Sequence, residues 1–283
     1  MTDKKYNIKV MSKQDLALAI DWAAAEGWNP GLHDIESFYT ADPTGFLVGY
    51  LGDEPIASIS VVKYDDSYGF LGFYIVKPDY RGKGYGFKLW EAGLAYLKGC
   101  NVGLDGVVEQ QGNYKQSGFK LAYGNIRFEG SGGGAKPEGI GLVDLCELPL
   151  NEVLDYDHAF FPADRQRFLQ HWIKQTGSSA LGIKQSGRLV GYGVIRPCRN
   201  GFKIGPLFAN DALLAEELFL ALRAKASPSD NIYLDVPEVN LPGVALAEKY
   251  NMEPVFTTAR MYTGDIPAIS VSRTYGVTTF ELG

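Results

Sequence analysis

Apolar residues along the chain switch repeatedly between a period of two and a period near 3.6, and that switching sets out the elements. Residues Asn7–Met11 alternate as a short strand. Ser12 then stands as an N-cap before an Ala/Leu-rich run, which predicts a helix over Lys13–Glu26 that stops at Gly27. Beyond the loop Trp28-Asn29-Pro30-Gly31, a second short helix is expected over Asp34–Thr40. Strand patterns follow at Gly45–Leu51, Pro55–Tyr64 and Tyr68–Val76. They are separated by Gly52-Asp53 and Asp65-Asp66-Ser67, turn sequences of hairpin type, so the three read as an antiparallel meander. After Pro78, Phe87, Trp90, Leu94 and Leu97 recur at helical spacing and predict a helix over Gly84–Lys98 with one buried face. A strand at Val102–Val108 should pair parallel with the third meander strand, because parallel neighbours need a long crossover. A short helix over Asn113–Ser117 and a strand over Lys120–Phe128 close this half.

The glycine-rich stretch Gly130-Ser131-Gly132-Gly133-Gly134-Ala135-Lys136-Pro137 has the composition of a flexible linker. It divides the chain into a first domain (1–130), a linker (131–138) and a second domain (139–283). In the second domain the order of elements repeats. A strand over Ile140–Leu145, a helix across Ala163–Gln175, and strands near Leu181 and over Leu189–Pro197 and Phe202–Phe208 come first. A helix over Ala212–Ala226, a strand over Ile232–Val236, a short helix before Tyr250 and a strand over Pro254–Tyr262 follow. Gly118-Phe119 leads to Arg127-Phe128 over the spacing by which Asn251-Met252 leads to Arg260-Met261, so the halves read as copies of one fold.

Length and charge narrow the picture. At 283 residues the chain can bury two cores, and 46% apolar with 21% charged residues is an ordinary globular composition. A formal net charge of −6 argues against nonspecific attraction to nucleic acid and suits a cationic substrate. No apolar run approaches the roughly 18 residues of a membrane span. Met1-Thr2-Asp3-Lys4-Lys5-Tyr6 leads into a strand rather than a signal-peptide core, so a cytoplasmic protein with no membrane role is expected. Cys100, Cys146 and Cys198 are scattered and read as buried thiols. His33, His158 and His171 lack ligand spacing, so no metal site is expected.

The candidate chemistry lies at Val76-Lys77-Pro78-Asp79-Tyr80-Arg81-Gly82-Lys83-Gly84-Tyr85-Gly86, between the third meander strand and the long helix. Glycines let the backbone turn tightly against a ligand, and the helix start points unpaired N–H groups and a positive dipole end into the turn. Those features suit a pyrophosphate, with Arg81 and Lys83 adding charge. A dinucleotide fingerprint would follow the first strand of a parallel sheet, and a Walker loop would place Ser or Thr after Gly-Lys, where this chain has Gly84.

The spacing Arg81-x-x-Gly84-x-Gly86, after a strand and before an amphipathic helix, resembles the acetyl-CoA signature of the GNAT family of N-acetyltransferases. Tyr114, four residues before Gly118-Phe119, matches the tyrosine that in this family often protonates the departing CoA thiolate, and Asn113 matches an asparagine near the pantetheine arm. Glu26 to Gly31, Gly103 to Val107, and Gln110-Gln111 with Asn113-Tyr114 look like a two-domain subgroup that includes the bacterial YitH-like proteins, whose second domain is a degenerate GNAT-like copy. The resemblance implies an α/β (α+β) fold of two tandem GNAT-like domains, each a mixed, mostly antiparallel sheet flanked by helices. It implies acetyl-CoA held by backbone at Phe73, Ile75 and Val76 and by Arg81, Gly82, Lys83, Gly84, Tyr85, Gly86, Asn113 and Tyr114.

Acetyl transfer to an amine also needs a group that takes the ammonium proton. The third meander strand offers no Glu or Asp between Tyr68 and Val76. Asp105 is the first choice, as a base or equally as a structural acceptor, followed by Glu26 and Glu109. Trp28, Asn29 and Asp34 are expected at the acceptor site. In the second half, Pro206-Leu207-Phe208-Ala209-Asn210-Asp211-Ala212 has no glycine turn, and Ala247 stands where the repeat would place Tyr114. That half should not bind acetyl-CoA in the same way, and Asp235 and Glu238 face either the acceptor pocket or solvent. The expected function is N-acetylation of a primary amine on a small molecule, by a monomer or homodimer. A protein or peptide N-acetyltransferase and a non-catalytic acyl-CoA sensor stay open.

Overall fold

A computed structural model of the chain describes residues 4–139 and 141–283; readings that fall on Met1, Thr2, Asp3 and Ile140 lie outside the described residues. The first half contains β1 (Tyr6–Val10), α1 (Lys13–Ala25), α2 (Asp34–Ala41), β2 (Phe46–Leu51), β3 (Glu54–Lys63), β4 (Tyr68–Val76), α3 (Tyr85–Tyr96), β5 (Asn101–Val107), α4 (Gln111–Gln116) and β6 (Lys120–Ser131). The second contains β7 (Leu142–Asp144), α5 (Leu150–Asp157), α6 (Gln166–Trp172), β8 (Ser179–Gln185), β9 (Arg188–Pro197) and β10 (Phe202–Ala209). It continues through α7 (Ala212–Arg223), β11 (Asn231–Pro237), α8 (Leu241–Lys249), β12 (Glu253–Tyr262) and β13 (Thr274–Gly276). Helix α1 begins where Ser12 caps it, with Ser12 and Asp15 exchanging hydrogen bonds as a capping box, and Gly27 beyond its end takes φ +80°. Helix α5 and strand β13 were not anticipated.

All strands join one mixed, mostly antiparallel sheet in the order β1-β2-β3-β4-β5-β12-β6-β11-β10-β9-β8-β7, with β13 beside β10. The closing strands are exchanged. β6 lies against β11 rather than completing the first half's sheet, and β12 of the second half lies against β5. The two meet antiparallel at the centre, with Asn125 opposite Thr258. Equivalent residues follow an approximate twofold relation: Gly118 (φ +90°) and Asn251 (φ +54°) both take the left-handed conformation at corresponding helix ends.

The exchange carries two reciprocal buried ion pairs. Arg127 on β6 reaches Asp235 on β11 at 2.6 and 2.8 Å, and Arg260 on β12 reaches Asp105 on β5 at 2.5 and 2.7 Å. Each arginine lies two residues beyond the central pair and binds the aspartate of the other half. Residues 132–139 and 141 carry no regular element, and Gly132 and Gly133 donate to carbonyls of Asp230, Arg223 and Ala226.

One sheet face is covered by α3 and α4 over the first half and by α7 and α8 over the second. The other face carries α1, α2, α5 and α6 in one apolar core common to both halves, where Phe38 of α2 stacks on Trp172 and Phe168 of α6. Each such ring withdrawn from water contributes on the order of 2 kcal/mol.

Candidate active site

β4 and β5 pair in parallel only from Tyr68 with Asn101 to Leu71 with Leu104. Beyond that register they separate, and Phe73 takes φ +45° where β4 shifts register against β3. The separation opens a cavity of about 610 Å³ lined by β4 from Leu71 to Val76, by Leu104 to Val107 of β5, and by Arg81, Gly82, Gly84, Gly86 and Phe87 of the following turn. Backbone amides on the edge of β4 that β5 no longer covers therefore border an apolar slot.

The turn is built for close approach. Gly82 and Gly84 have φ +71° and +80°, and a Cβ on either would meet no other atom within 4 Å, so both are bare towards open space. Gly84 is the N-cap of α3 and supplies no side-chain cap, which leaves the first N–H groups of that helix free. The equivalent helix α7 is closed by its own Asp211, whose carboxylate accepts from Leu214 N at 2.9 Å. In the second half β10 and β11 also separate after Ile204 and Leu234, but β13 fills that gap against Leu207 and Phe208. One slot is thus open and its counterpart is filled and capped.

Tyr114 lines the cavity from α4 and stacks on Trp90 at 5.6 Å. Its ring occupies the space a side chain at position 106 would need, since a Cβ on Gly106 would lie 2.1 Å from Tyr114 Cε2. Burial pushes the Tyr114 phenol up to about 12, so it keeps its proton at neutral pH.

The remaining residues singled out from the sequence divide sharply. Phe73, Ile75, Val76, Arg81, Gly82, Gly84 and Gly86 line the cavity with Tyr114, as do Glu26 and Trp28. Lys83 does not: its ammonium donates to Asp79 O at 2.7 Å. Tyr85 packs on Tyr6 instead, and exposed Asn113 donates to Gln110, which lines the cavity in its place. Glu26 is ion-paired with Arg81, whose Nε also donates to Val76 O at 2.8 Å. Glu109 is exposed on a 3-10 turn outside the cavity.

Three further expectations need correction. Asp34 is a buried partner of Arg196 and accepts from Gly31 N, so it cannot attract an ammonium. Asn29 pins its loop to the β9–β10 turn through Asn200 and Cys198. Asp105 reaches the cavity wall, but both its oxygens are held by Arg260 and Oδ1 also accepts from Asn125. Burial raises the Asp105 carboxyl and the Arg260 charge pulls it back; the group is committed as an ion-pair partner. Asp235 is likewise committed to Arg127, and Glu238 accepts from Gly124 N. Of the three cysteines only Cys198 is buried, while Cys146 is exposed and Cys100 lies between.

Sequence reasoning missed the far wall. Phe256 and Thr258 of β12 and Phe280 and Glu281 beyond β13 complete the cavity opposite the glycine turn. No local pattern marks these positions, because only the exchange brings β12 beside β5. Among the described residues no His/Cys/Asp/Glu cluster could hold a metal ion, and no helix is long and apolar enough to cross a membrane.

A separated parallel strand pair, an uncapped glycine turn and a tyrosine that keeps its proton meet at one slot, and likeness to known proteins makes the chain an acyltransferase. The chain belongs to the GNAT family, as a protein with two GNAT domains. Residues 15–119 match the acetyltransferase (GNAT) family model and residues 153–276 match an acetyltransferase (GNAT) domain model. Over 275 residues, 97% of this chain and 94% of the relative, it is 32% identical to holothin acyltransferase of Pseudoalteromonas sp. (strain SANK 73390). Its fold is similar to that of a Pyrococcus horikoshii protein, with TM-score 0.84, 23% identity, and 100% and 97% of the two chains covered. It is also similar to a tandem GNAT protein from the clavulanic acid biosynthesis pathway, with TM-score 0.64, 14% identity, and 93% and 100% covered.

Proposed function

We propose that the protein transfers an acetyl group from acetyl-CoA to a primary amine of a small molecule, by direct attack within a ternary complex. The observation that carries this reading is one slot holding the free helix start, the uncovered edge of β4 and Tyr114, closed on its far side by Trp28, Phe256 and Phe280. An enclosed far wall favours a compact acceptor over a polypeptide. The relative named for acylating holothin makes holothin the first acceptor to assay.

In this reading the N–H groups of Tyr85 and Gly86 at the start of α3 bind the pyrophosphate, helped by the positive end of the helix. Arg81 can turn to a phosphate once Glu26 releases it. Amides of Phe73 to Val76 align the pantetheine arm and polarise the thioester carbonyl, holding donor and acceptor in reacting geometry. Tyr114 protonates the leaving sulfur. The second domain binds no donor; it supplies the acceptor wall. The protein acts in the cytoplasm, as a monomer or homodimer, without nucleic-acid or membrane partners.

Calorimetric titration with acetyl-CoA tests the donor site. Native protein should bind one equivalent. Gly84→Trp, which places an indole in the open space of the turn, should abolish binding, and Arg81→Ala should weaken it by roughly tenfold, consistent with loss of one charge-assisted contact. A folded native chain that binds no acetyl-CoA sinks the proposal.

A further inference from the structure

The acidic residues lining the cavity are Glu26, Asp105 and Glu281. Two are already engaged, Glu26 with Arg81 and Asp105 with Arg260. Glu281 is different: among the described residues no cation lies within ion-pair distance of it, yet the residue is only 5% exposed. An unpaired carboxylate withdrawn from water is costly, so its retention calls for a reason in function.

The path of the chain shows how it arrives there. After β13 fills the gap in the second half, Val277 N donates to Asp235 O at 2.8 Å, and residues 278–283 run on to β4, where Glu281 meets Gly72. Arg165 and Tyr64 anchor the crossing through Thr278 Oγ1 at 3.0 Å and Leu282 O at 2.8 Å. The Glu281 carbonyl sits where a Cβ on Gly72 would be, 2.2 Å away, so β4 accepts the segment only because position 72 is glycine. The carboxylate itself is oriented by Thr279, whose hydroxyl donates to Oε2 at 2.5 Å while accepting from Glu281 N at 2.8 Å.

Charge around the site is otherwise matched pair by pair. Arg127 binds Asp235, Arg196 binds Asp34 and Arg260 binds Asp105. Lys203 on β10 and Glu281 are left over, each without an ion-pair partner among the described residues. Lys203 is buried; burial and then the Arg127 charge lower its amine to about 8, while the charges of Asp235 and Glu281 hold it up. Thr258, which also lines the cavity, has a buried hydroxyl with no hydrogen-bond partner among the described residues. The far wall thus offers one carboxylate and one hydroxyl among Trp28, Phe256 and Phe280.

We infer that Glu281 is the catalytic base, carried into the first domain's active site by the segment that follows β13, and that it receives the acceptor's ammonium. This rests on the acetyltransferase reading above. The ammonium gives one proton to the Glu281 carboxylate, and the freed lone pair forms the C–N bond at the thioester carbon. Collapse breaks the C–S bond, with the electron pair leaving on sulfur, which takes the Tyr114 proton. The second proton of the attacking nitrogen restores the Tyr114 phenol, and Glu281 releases its proton to water.

The test compares native protein with Glu281→Gln, which keeps the side chain's size, and Glu281→Asp, which keeps the charge but withdraws it. Acetyl-CoA affinity is measured by calorimetry. CoA release from the loaded enzyme is followed in single turnovers with holothin, with tyramine, and with hydroxylamine, a nucleophile already neutral at assay pH. Glu281→Gln should bind acetyl-CoA within about twofold of native while CoA release to tyramine falls on the order of a hundredfold, as expected for loss of a general base. Glu281→Asp should fall between, and hydroxylamine should lose least. Release by Glu281→Gln at the native rate overturns the inference. So does native protein that binds acetyl-CoA and releases CoA to none of the three probes. Native protein that fails to bind acetyl-CoA overturns the reading on which the inference stands.

Discussion

Tyr114, the proposed acid, shows how neighbours set the protonation state of a single side chain. Trp90 stacks against one face, and the absent side chain of Gly106 leaves the room in which the ring sits. Burial disfavours the phenolate, so the folded protein holds this proton up to about pH 12, above the ordinary tyrosine value of about 10. The sign follows directly: a raised value keeps the acid form present through the neutral and mildly alkaline range. Tyr114→Phe should therefore lower kcat by roughly a hundredfold or more with acetyl-CoA affinity unchanged, the usual scale for a positioned acid. In native enzyme, rate profiles of the chemical step should show no alkaline loss from this group below about pH 10; a loss centred near neutrality that disappears in Tyr114→Phe would contradict the assignment. Because the raised value also means that the folded state binds this proton more tightly than the unfolded chain, its contribution to stability is complete below about pH 10 and declines from there towards pH 12.

At the scale of elements, most of the fold was legible. Periods of two and 3.6 located every strand from β1 to β6, and Ser12, Gly27 and Gly84 marked helix ends because caps and left-handed residues are local requirements. The glycine-turn side of the slot was legible for the same reason: a turn and the helix after it are neighbours in sequence. The far wall was not. Whether Asp105 serves chemistry or structure depends on Arg260, 155 positions away, and Asp34 depends on Arg196 on β9. No spacing rule connects such partners. The exchanged strands lead to a direct expectation. Asp105→Asn or Arg260→Met alone leaves one buried charge unmatched and should destabilise by about 3–5 kcal/mol in urea unfolding, while the double variant Asp105→Asn with Arg260→Met should recover a large part of that loss. Additive losses in the double-mutant cycle would show that the pair does not act as a unit.

For the molecule as a whole, the slot belongs to neither half alone. The glycine turn and Tyr114 come from the first, while Phe256, Thr258, Phe280 and Glu281 come from the second. The apolar core on one sheet face is likewise common to both, with Phe38 against Trp172. A protein comprising residues 1–131 alone should fail to show a cooperative thermal transition, because β5 would keep an uncovered edge and β6 would have lost both its neighbours. A cooperative melt of that fragment would show that the exchange is an ornament rather than a requirement. The same exchange bears on synthesis. A ribosome delivers β5 long before β12, so the nascent first half waits with an open strand edge while more than a hundred further residues are translated. Its own β6, which emerges first, is the obvious wrong partner for that edge. Arg127 stands on β6 where Arg260 stands on β12, so that partner too could meet Asp105, and the ion pair alone does not tell the two strands apart.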